Sequence, residues 1–345
     1  MRNVFIEPKG QDDNLGDSVL RAALIDAIRG EEYRFHLQLE GQTSDYKAGF
    51  RLGAEDVVYP TRGEWLAASK ATERPVWIFN PGEWILQQPN TFPGRRRTAE
   101  LNSVLDQGGV VIAAGLGVRS PFDAARVVID PVLMRAQVVS WRDEATRQAA
   151  GFGDFAPDWA FVLGTPISEW TPVHARPLLA VTLRFDRPWP DEDWFYGIRE
   201  LAARTSTRIV TVAQVSRDAP HAVRLAKQLG AEYLEPPSLS HATLEKYVRD
   251  VYSRSLAVIS DRAHALIIGA TEGAYPIGTA AQPEKVKRML DVAGLGALTG
   301  EYSEFASRAE GLEEARLYLA PAVKASRESL NELARRVHAV ISDTV

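Results

Sequence analysis

The stretch SLAVISDRAHALIIGATEGAYPIG, Ser255 to Gly278, decides the fold. Its apolar run from Leu256 to Ile259 has the length and composition of a strand buried on both faces, the mark of a parallel sheet. A polar break at Ser260 and Asp261 ends the run, and a helical apolar pattern through Ala265, Leu266, Ile268 and Gly269 begins at once. A second short strand, Ala274 to Gly278, leads to PEKVKRML, which contains Lys285. Strand and helix alternating in this way predict βαβ units. A helix that starts directly after a parallel strand aims its free N–H groups beyond the strand's carboxyl end, where an anion binds. Arg262 and His264 fall at this junction and Lys285 after the next strand, so three cationic or titratable groups are expected along one edge of the sheet. Structural readings compete with each: a core histidine, an ion pair of Arg262 with Asp261, and a solvated lysine beside Glu284.

The same alternation runs backwards to the first residue. Val4 to Ile6 is strand-like, PKGQDDNLGD is a loop, and Val19, Leu20, Ala23, Leu24, Ala27 and Ile28 follow at helical period until Gly30. Asn14, Gly16 and Asp17 stand at the entrance of that helix, where Asp17 suits either an N-cap or a functional carboxylate. Further strands are predicted at Tyr33 to Leu37, Asp56 to Tyr59, Val76 to Phe79, Val110 to Ala114 and Gln137 to Ser140. The segment GTPISEWTPVHARP, Gly164 to Pro177, has three prolines and no periodicity and reads as a linker. Strands at Leu178 to Leu183, Arg208 to Val212 and Tyr233 to Leu234 then alternate with helices up to the opening stretch. The expectation is an α/β chain with an N-terminal domain over 1–165 and a C-terminal domain over 177–320. A C-terminal helical tail, 321–345, interrupted at Pro321, would pack back on the first domain.

A chain of 345 residues exceeds what one core usually serves. With 45% hydrophobic and 25% charged residues it is an ordinary globular protein, and a net charge of -5 gives no nucleic-acid footprint. The absence of cysteine excludes disulfides, thiolate nucleophiles and cysteine metal sites. Six histidines without a close helical pair predict no dedicated metal. No apolar run reaches bilayer length and the opening is too short for a signal peptide. A cytoplasmic protein is expected, with any membrane association peripheral and at the inner face. No Walker A loop and no G-x-S-x-G elbow are present, which sets aside P-loop NTPases and serine hydrolases.

Four further features carry chemistry. Gly115-Leu116-Gly117-Val118-Arg119-Ser120 reads as a tight turn after a strand, and only weakly as a phosphate loop. Arg142 opens a helix after another strand, and a local salt bridge and a side chain aimed into a cleft stand level. Arg184 ends the first strand of the second half, where open α/β sheets place ligand-binding groups; an exposed turn arginine is the competing reading. Trp189 heads an aromatic and acidic cluster that suits helix packing and capping, or stacking on a sugar ring.

In order, these segments resemble the polysaccharide pyruvyl transferase family. Asn14-Leu15-Gly16-Asp17 is similar to its N-x-G-D loop, VIAAGLGV to its glycine strand-turn, and SWRDEAT to its R-D-x-x-S segment with Thr146 in place of serine. FAPDWAF supplies Asp158, AVTLR ends in Arg184, and AQVSRDAPHAV resembles Q-x-x-x-D. SDRAHA, with the later Lys285, is similar to S-x-R-x-H and its following lysine. The resemblance spans most of residues 1 to 295. Departures are Ala263 for leucine, Ser18 for a second aspartate, and a proline in FNPGEW where paired glycines are usual.

The resemblance implies a fold similar to glycosyltransferase B, two Rossmann-like domains facing across a cleft, with acceptor on the first side and donor on the second. It also implies transfer of pyruvate from phosphoenolpyruvate, the co-substrate, with no other cofactor, onto two hydroxyls of a sugar. The product would be a ketal on an exopolysaccharide or cell-surface glycan precursor, free or lipid-linked, with release of phosphate. Arg142, Arg184, Arg262 and Lys285 would clamp the donor, since guanidinium forks match carboxylate and phosphate. His264 would be the general acid or base, Asp17 would orient or deprotonate an acceptor hydroxyl, and Asn14 and Trp189 would bind the acceptor. The alternatives are a nucleotide-sugar glycosyltransferase of the same fold, with a glutamate such as Glu272 on the ribose, and a non-catalytic carbohydrate-binding protein.

Overall fold

The computed structural model describes residues 1–84, 91–118 and 128–343. It divides into two compact units. The first holds Met1–Asp12, Leu20–Trp159 and the chain from Glu328 onward; the second holds Asp13–Val19 and Ala160–Arg327.

In the first unit the strands are β1 (Arg2–Ile6), β2 (Tyr33–Gln38), β3 (Val57–Tyr59), β4 (Val76–Ile78), β5 (Gly82–Trp84), β6 (Thr91–Phe92), β7 (Val110–Val118), β8 (Val128–Ile129), β9 (Val138–Trp141) and β10 (Asp154–Phe155). They form a parallel sheet of order β10-β9-β7-β4-β1-β2-β3, with β5 beside β7, and a separate small pair β6-β8. The helices are α1 (Leu15–Ala27), which belongs to this unit from Leu20 on, α2 (Ser44–Lys47), α3 (Arg62–Ala71), α4 (Arg95–Asp106) and α5 (Glu144–Ala150). The strands are apolar on successive residues because helices cover both faces of a parallel sheet. Phe5, Trp65, Trp77, Leu101, Val111 and Trp141 share one core, each worth about 1.5–3 kcal/mol of burial. The indole of Trp65 donates to the His36 carbonyl at 2.8 Å, so its polar edge is satisfied inside.

One strand differs from expectation. β7 does not stop at Ala114 in a turn but runs to Val118, with a bulge where the β9 register shifts between Ala114 and Leu116. Gly115 sits there at φ +85°, and a Cβ on it would come 2.7 Å from the Trp159 ring. A Cβ on Gly117 would come 2.8 Å from Cγ of Arg142. The two glycines make room for a ring and a guanidinium stem; they do not cradle a phosphate. Residues 119 and 120 of that reading lie outside the described residues.

The second unit repeats the plan with β11 (Leu178–Thr182), β12 (Arg208–Thr211), β13 (Glu232–Tyr233), β14 (Ser255–Ser260) and β15 (Tyr275–Gly278). The order is β13-β12-β11-β14-β15, all parallel, so the winding reverses between β11 and β14. The intervening helices are α6 (Glu192–Thr205), α7 (Ala219–Leu229), α8 (His241–Ser253), α9 (Ala263–Thr271) and α10 (Glu284–Asp291), followed by α11 (Phe305–Ala309), α12 (Leu312–Arg316) and α13 (Leu319–Ser342). Helix α9 is buried from Ala265 to Thr271, which explains why its sequence is apolar nearly all round. Gly269 lets it approach β14, since a Cβ there would meet Val258 at 2.6 Å.

Two boundaries shift. The units part at Trp159 and Ala160, and the proline-rich segment is not a loose linker but part of the second unit. Arg176, 4% exposed, ties it down by donating to the carbonyls of Thr171 at 2.8 Å, Ser255 at 2.9 Å and Glu272 at 2.9 Å. The tail helix is not interrupted at Pro321, because the proline is the third residue of α13, where the backbone N–H has no partner within the helix. Its residues to Arg327 belong to the second unit, and those beyond to the first.

Candidate functional site

The switch point of the second sheet lies between β11 and β14, where ligands bind in doubly wound folds. Asp261, directly after β14, accepts the Arg184 backbone N–H at 2.9 Å. Asp218, before α7, accepts the Phe185 N–H at 3.2 Å and pairs through its other oxygen with the Arg262 guanidinium. Ser260 Oγ accepts the Arg262 N–H at 2.9 Å. The Arg184 guanidinium turns to Asp186 in a two-pronged pair, 2.8 Å and 2.7 Å.

The two arginines are held very differently. Arg262 and Asp218 are buried, 8% and 0% exposed by side chain, whereas Arg184 and Asp186 are 29% and 42% exposed. Breaking a buried pair costs about 3–5 kcal/mol; an exposed one is worth about 0–1. Arg184 can therefore be handed to an incoming oxyanion, while Arg262 stays with Asp218. Hydrogen bonds from Arg184 pull the Asp186 carboxyl down to about 2. Burial pushes Asp261 up to about 6, against the pull of the Arg184 N–H and the nearby guanidinium charges.

His264 is the second residue of α9 and is half-buried. It faces the first turn of α1, which belongs to the same unit: a Cβ added to Gly16 would lie 2.5 Å from the His264 Cβ and 2.6 Å from its Cγ. That turn is fixed by four further contacts. Asn14 forms an isolated bridge with Val215, the Leu15 N–H reaches the Gln214 carbonyl at 3.2 Å, Asp13 pairs with Arg217 at 2.7 Å, and Ser18 Oγ lies 2.6 Å from His241 Nδ1. Asn14 also caps α1, its Oδ1 accepting the Gly16 N–H at 3.2 Å. Asp17 is half-buried in the first turn, where a carboxylate suits the helix dipole.

The sequence-predicted residues thus divide. Arg184 and Arg262 meet at the switch point through Asp218 and Asp261, and His264 meets the Asn14–Gly16 turn. Lys285 is half-buried in the first turn of α10, after the edge strand β15, one strand out from the reversal. Arg142 belongs to the first unit, 3% exposed, with Nη2 at 3.4 Å from Glu83 Oε1; the ion pair is the reading the structure takes. The four-cation clamp is accordingly not what the second unit assembles. Trp189 carries the Arg224 guanidinium over its ring at 3.9 Å and meets His221 edge-on at 4.8 Å, so one face of the indole is occupied by a cation. Glu272 is 2% exposed and bonded to Thr165 at 2.5 Å and Arg249 at 2.8 Å, a structural carboxylate and not a ribose ligand.

Asp218, Asp261 and Asp186 were not expected as site residues. Asp218 was visible as the acid of Q-x-x-x-D and Asp261 as the polar break after the strand; their partners come from distant segments. Among the described residues no three His, Asp or Glu side chains gather as a metal site, and no helix is long and apolar enough to cross a membrane.

No protein-family model matches the chain, and no curated protein does. Solved structures match over nearly its whole length. MnaA of S. aureus, solved with UDP, is 11% identical with a TM-score of 0.55 and covers 96% of this chain and 92% of its own. HepE of Anabaena, solved with UDP and glucose, is 10% identical with a TM-score of 0.53 and covers 100% and 99%. The O-GlcNAc transferase of Thermobaculum terrenum is 11% identical, TM-score 0.52, covering 100% and 67%. The fold is glycosyltransferase B. Identities this low extend the likeness to the fold alone, and two Rossmann-like units are what the family resemblance implied.

Proposed function

We propose that the chain is a transferase that moves a group from an activated anionic donor onto a sugar. The donor binds along the carboxyl ends of β11 and β14, and His264 carries the proton. One observation carries the reading: Arg184, the Arg262–Asp218 pair and Asp261 converge at the switch point beside the N-terminus of α9, which opens on His264. A helix N-terminus and a releasable guanidinium attract phosphate oxygens, while ionised carboxylates accept only from hydroxyls and N–H groups. A ligand that carries both phosphates and sugar hydroxyls fits that mixture, so the first donor class is a nucleotide sugar. The UDP in the MnaA and HepE structures supports this choice.

Pyruvyl transfer from phosphoenolpyruvate is the second reading, favoured by a separate observation. The N-x-G-D and S-x-R-x-H segments, which resemble the pyruvyl transferase family, touch through Gly16 and His264. In this reading His264 gives a proton to the methylene carbon, two sugar hydroxyls add to the adjacent carbon as its bond to the phosphate oxygen breaks, and of the two hydroxyl protons one returns to His264 and one leaves with phosphate. Arg184 holds the donor's oxyanions; Arg142, committed to Glu83, takes no part. In the pyruvyl reading the acceptor is a cell-surface or exported glycan precursor, and we propose that the reaction runs on the cytoplasmic side.

The test is calorimetric titration with UDP-, GDP- and ADP-sugars and with phosphoenolpyruvate, followed by mass spectrometry of products on a panel of glycosides. Binding and turnover of a nucleotide sugar support the first reading, and a ketal product with phosphate release supports the second. No binding of either donor class overturns the proposal.

A further inference from the structure

Two polar groups at the carboxyl end of the second sheet are buried with a bond left unmade. Asp261, 7% exposed, accepts the Arg184 N–H with Oδ1, while its Oδ2 is buried and has no hydrogen-bond partner in the protein. The hydroxyl of Tyr302, 9% exposed, is buried in the same condition. A buried polar group left unsatisfied costs about 1–3 kcal/mol, and more when it is charged. The charged neighbours of Asp261 do not meet the need: Arg184 turns its fork to Asp186, Arg262 pairs with Asp218, and Asp218 is itself an acid.

The chain holds Tyr302 in place from two sides. Just before it, the Gly300 N–H donates to the Gly278 carbonyl at 3.1 Å and the Ala280 N–H to the Gly300 carbonyl at 3.2 Å, which ties this segment to the end of β15. The Tyr302 ring stands edge-on to Trp194 at 5.9 Å, and Trp194 is fixed by its indole N–H on Thr279 Oγ1 at 3.0 Å. β14, which Asp261 follows, is the neighbour of β15. The two orphan groups feel each other: burial raises the Tyr302 hydroxyl, the Asp261 charge raises it further, and Arg187 works the other way. They are too far apart to bond directly and near enough to interact, an interval that one water spans. Buried waters sit where polar groups would otherwise go unsatisfied.

We propose that a buried water bridges Asp261 Oδ2 and the Tyr302 hydroxyl, and that through it Tyr302 positions the carboxylate that holds the Arg184 backbone. The Tyr302 O–H donates to the water and the water donates to Oδ2, the order an ionised Asp261 requires. Tyr302 lies beyond residue 295, outside the segments that resemble pyruvyl transferases. The water site stands on the packing of the second unit alone; its effect on the donor rests on the transferase reading.

The first measurement uses the unaltered chain. A high-resolution crystal structure should show a water within about 3.2 Å of both oxygens. The second follows the carboxyl ¹³C signals of labelled aspartate with pH, Asp261 being assigned by the signal lost in Asp261→Asn. Tyr302→Phe removes a donor to the ionised form, so Asp261 should bind its proton about two- to tenfold more tightly in that variant. A packing role alone would leave the titration where it is. With whichever donor turns over, Tyr302→Phe should raise the donor KM by a larger factor than it lowers kcat. No water at that place, direct contact of the two oxygens, an unshifted Asp261 titration or an unchanged donor KM would each overturn the proposal, and the crystal structure keeps the test open if Tyr302→Phe fails to fold. A bridging water and a shifted titration in a chain that binds neither donor class would sustain the water site and sink the transferase.

Discussion

Gly16→Ala is the sharpest probe of the α1 turn. At the second position of a helix, alanine should stabilise, by at most about 1 kcal/mol over glycine. Space decides the sign. The added methyl would sit 2.5 Å from the His264 Cβ and 2.6 Å from its Cγ, where carbon atoms normally rest about 3.5–4.0 Å apart. The clash cannot be relieved by rotating the imidazole, because the Cβ itself is in the way, and so the turn and α9 must separate by about 1 Å. Overpacking of this kind costs about 1–3 kcal/mol, which leaves a net loss of up to about 2 after the full helical gain. For a unit of this size a loss of about 2 kcal/mol is about 4–8 °C in Tm. Gly63 is the matched control: it is also the second residue of its helix, and the nearest atom to an added Cβ is 3.9 Å away. Thermal denaturation followed by circular dichroism should show Gly16→Ala lowered and Gly63→Ala level or raised. If both variants melt alike, the contact between Gly16 and His264 is not as tight as stated, and the reasoning that joins the two segments fails.

Three other substitutions report on the switch point. Asp261 titrates at about 6 in the folded chain against an ordinary value of 3.8, so the folded state holds a proton that the unfolded state has released, and stability falls as pH rises through that window. Asp261→Asn should therefore gain on the order of 1–3 kcal/mol at pH 7.5 and nothing below about pH 4, as read from urea midpoints; an equal gain at both pH values would contradict the burial argument. Asp218→Ala strands the buried Arg262 charge and should cost about 3–5 kcal/mol, much of it recovered in the double variant with Arg262→Met; no recovery would mean that the pair is not the cause. His264→Ala should lower turnover at least about a hundredfold while the donor dissociation constant changes by less than about threefold, and near-normal turnover would remove the proton-transfer role.

The sheets were legible because buried parallel strands write themselves as short apolar runs, and the position of Arg262 and His264 followed from the strand–helix junction. What escaped depends on residues far apart in the chain. A glycine pair inside β7 looks like a turn until Trp159 and Arg142 are seen passing over it. A proline-rich segment looks like a linker until Arg176 is seen spending its donors on carbonyls around Ser255 and Glu272. Pro321 looks like a break until it falls in a first turn. At the site, the resemblance implied a donor clamp that takes Arg142, Arg184 and Arg262, whereas Glu83, Asp186 and Asp218 pair with these three. Nor does any local signal assign the first turn of α1 to the second unit; the Ser18–His241 contact spans 223 residues of chain.

Charge pairing also separates the two units by the guanidinium each can release. In the first unit Arg62 and Arg97 are 20% and 18% exposed by side chain and share two carboxylates, Glu7 and Glu100, so releasing either leaves two carboxylates on one guanidinium. In the second, Arg184 has a solvent-reached partner, Asp186, while Arg262 is sealed against Asp218. An anionic donor therefore recruits Arg184 at less cost than Arg262, and it must displace Asp186 to do so. Asp186→Asn removes that competitor and should tighten binding of inorganic pyrophosphate, used as the probe, by up to about fivefold, the equivalent of about 1 kcal/mol for an exposed pair. Unchanged or weaker binding would mean that the fork of Arg184 does not open toward the ligand, and the donor would have to be held by α9 without it.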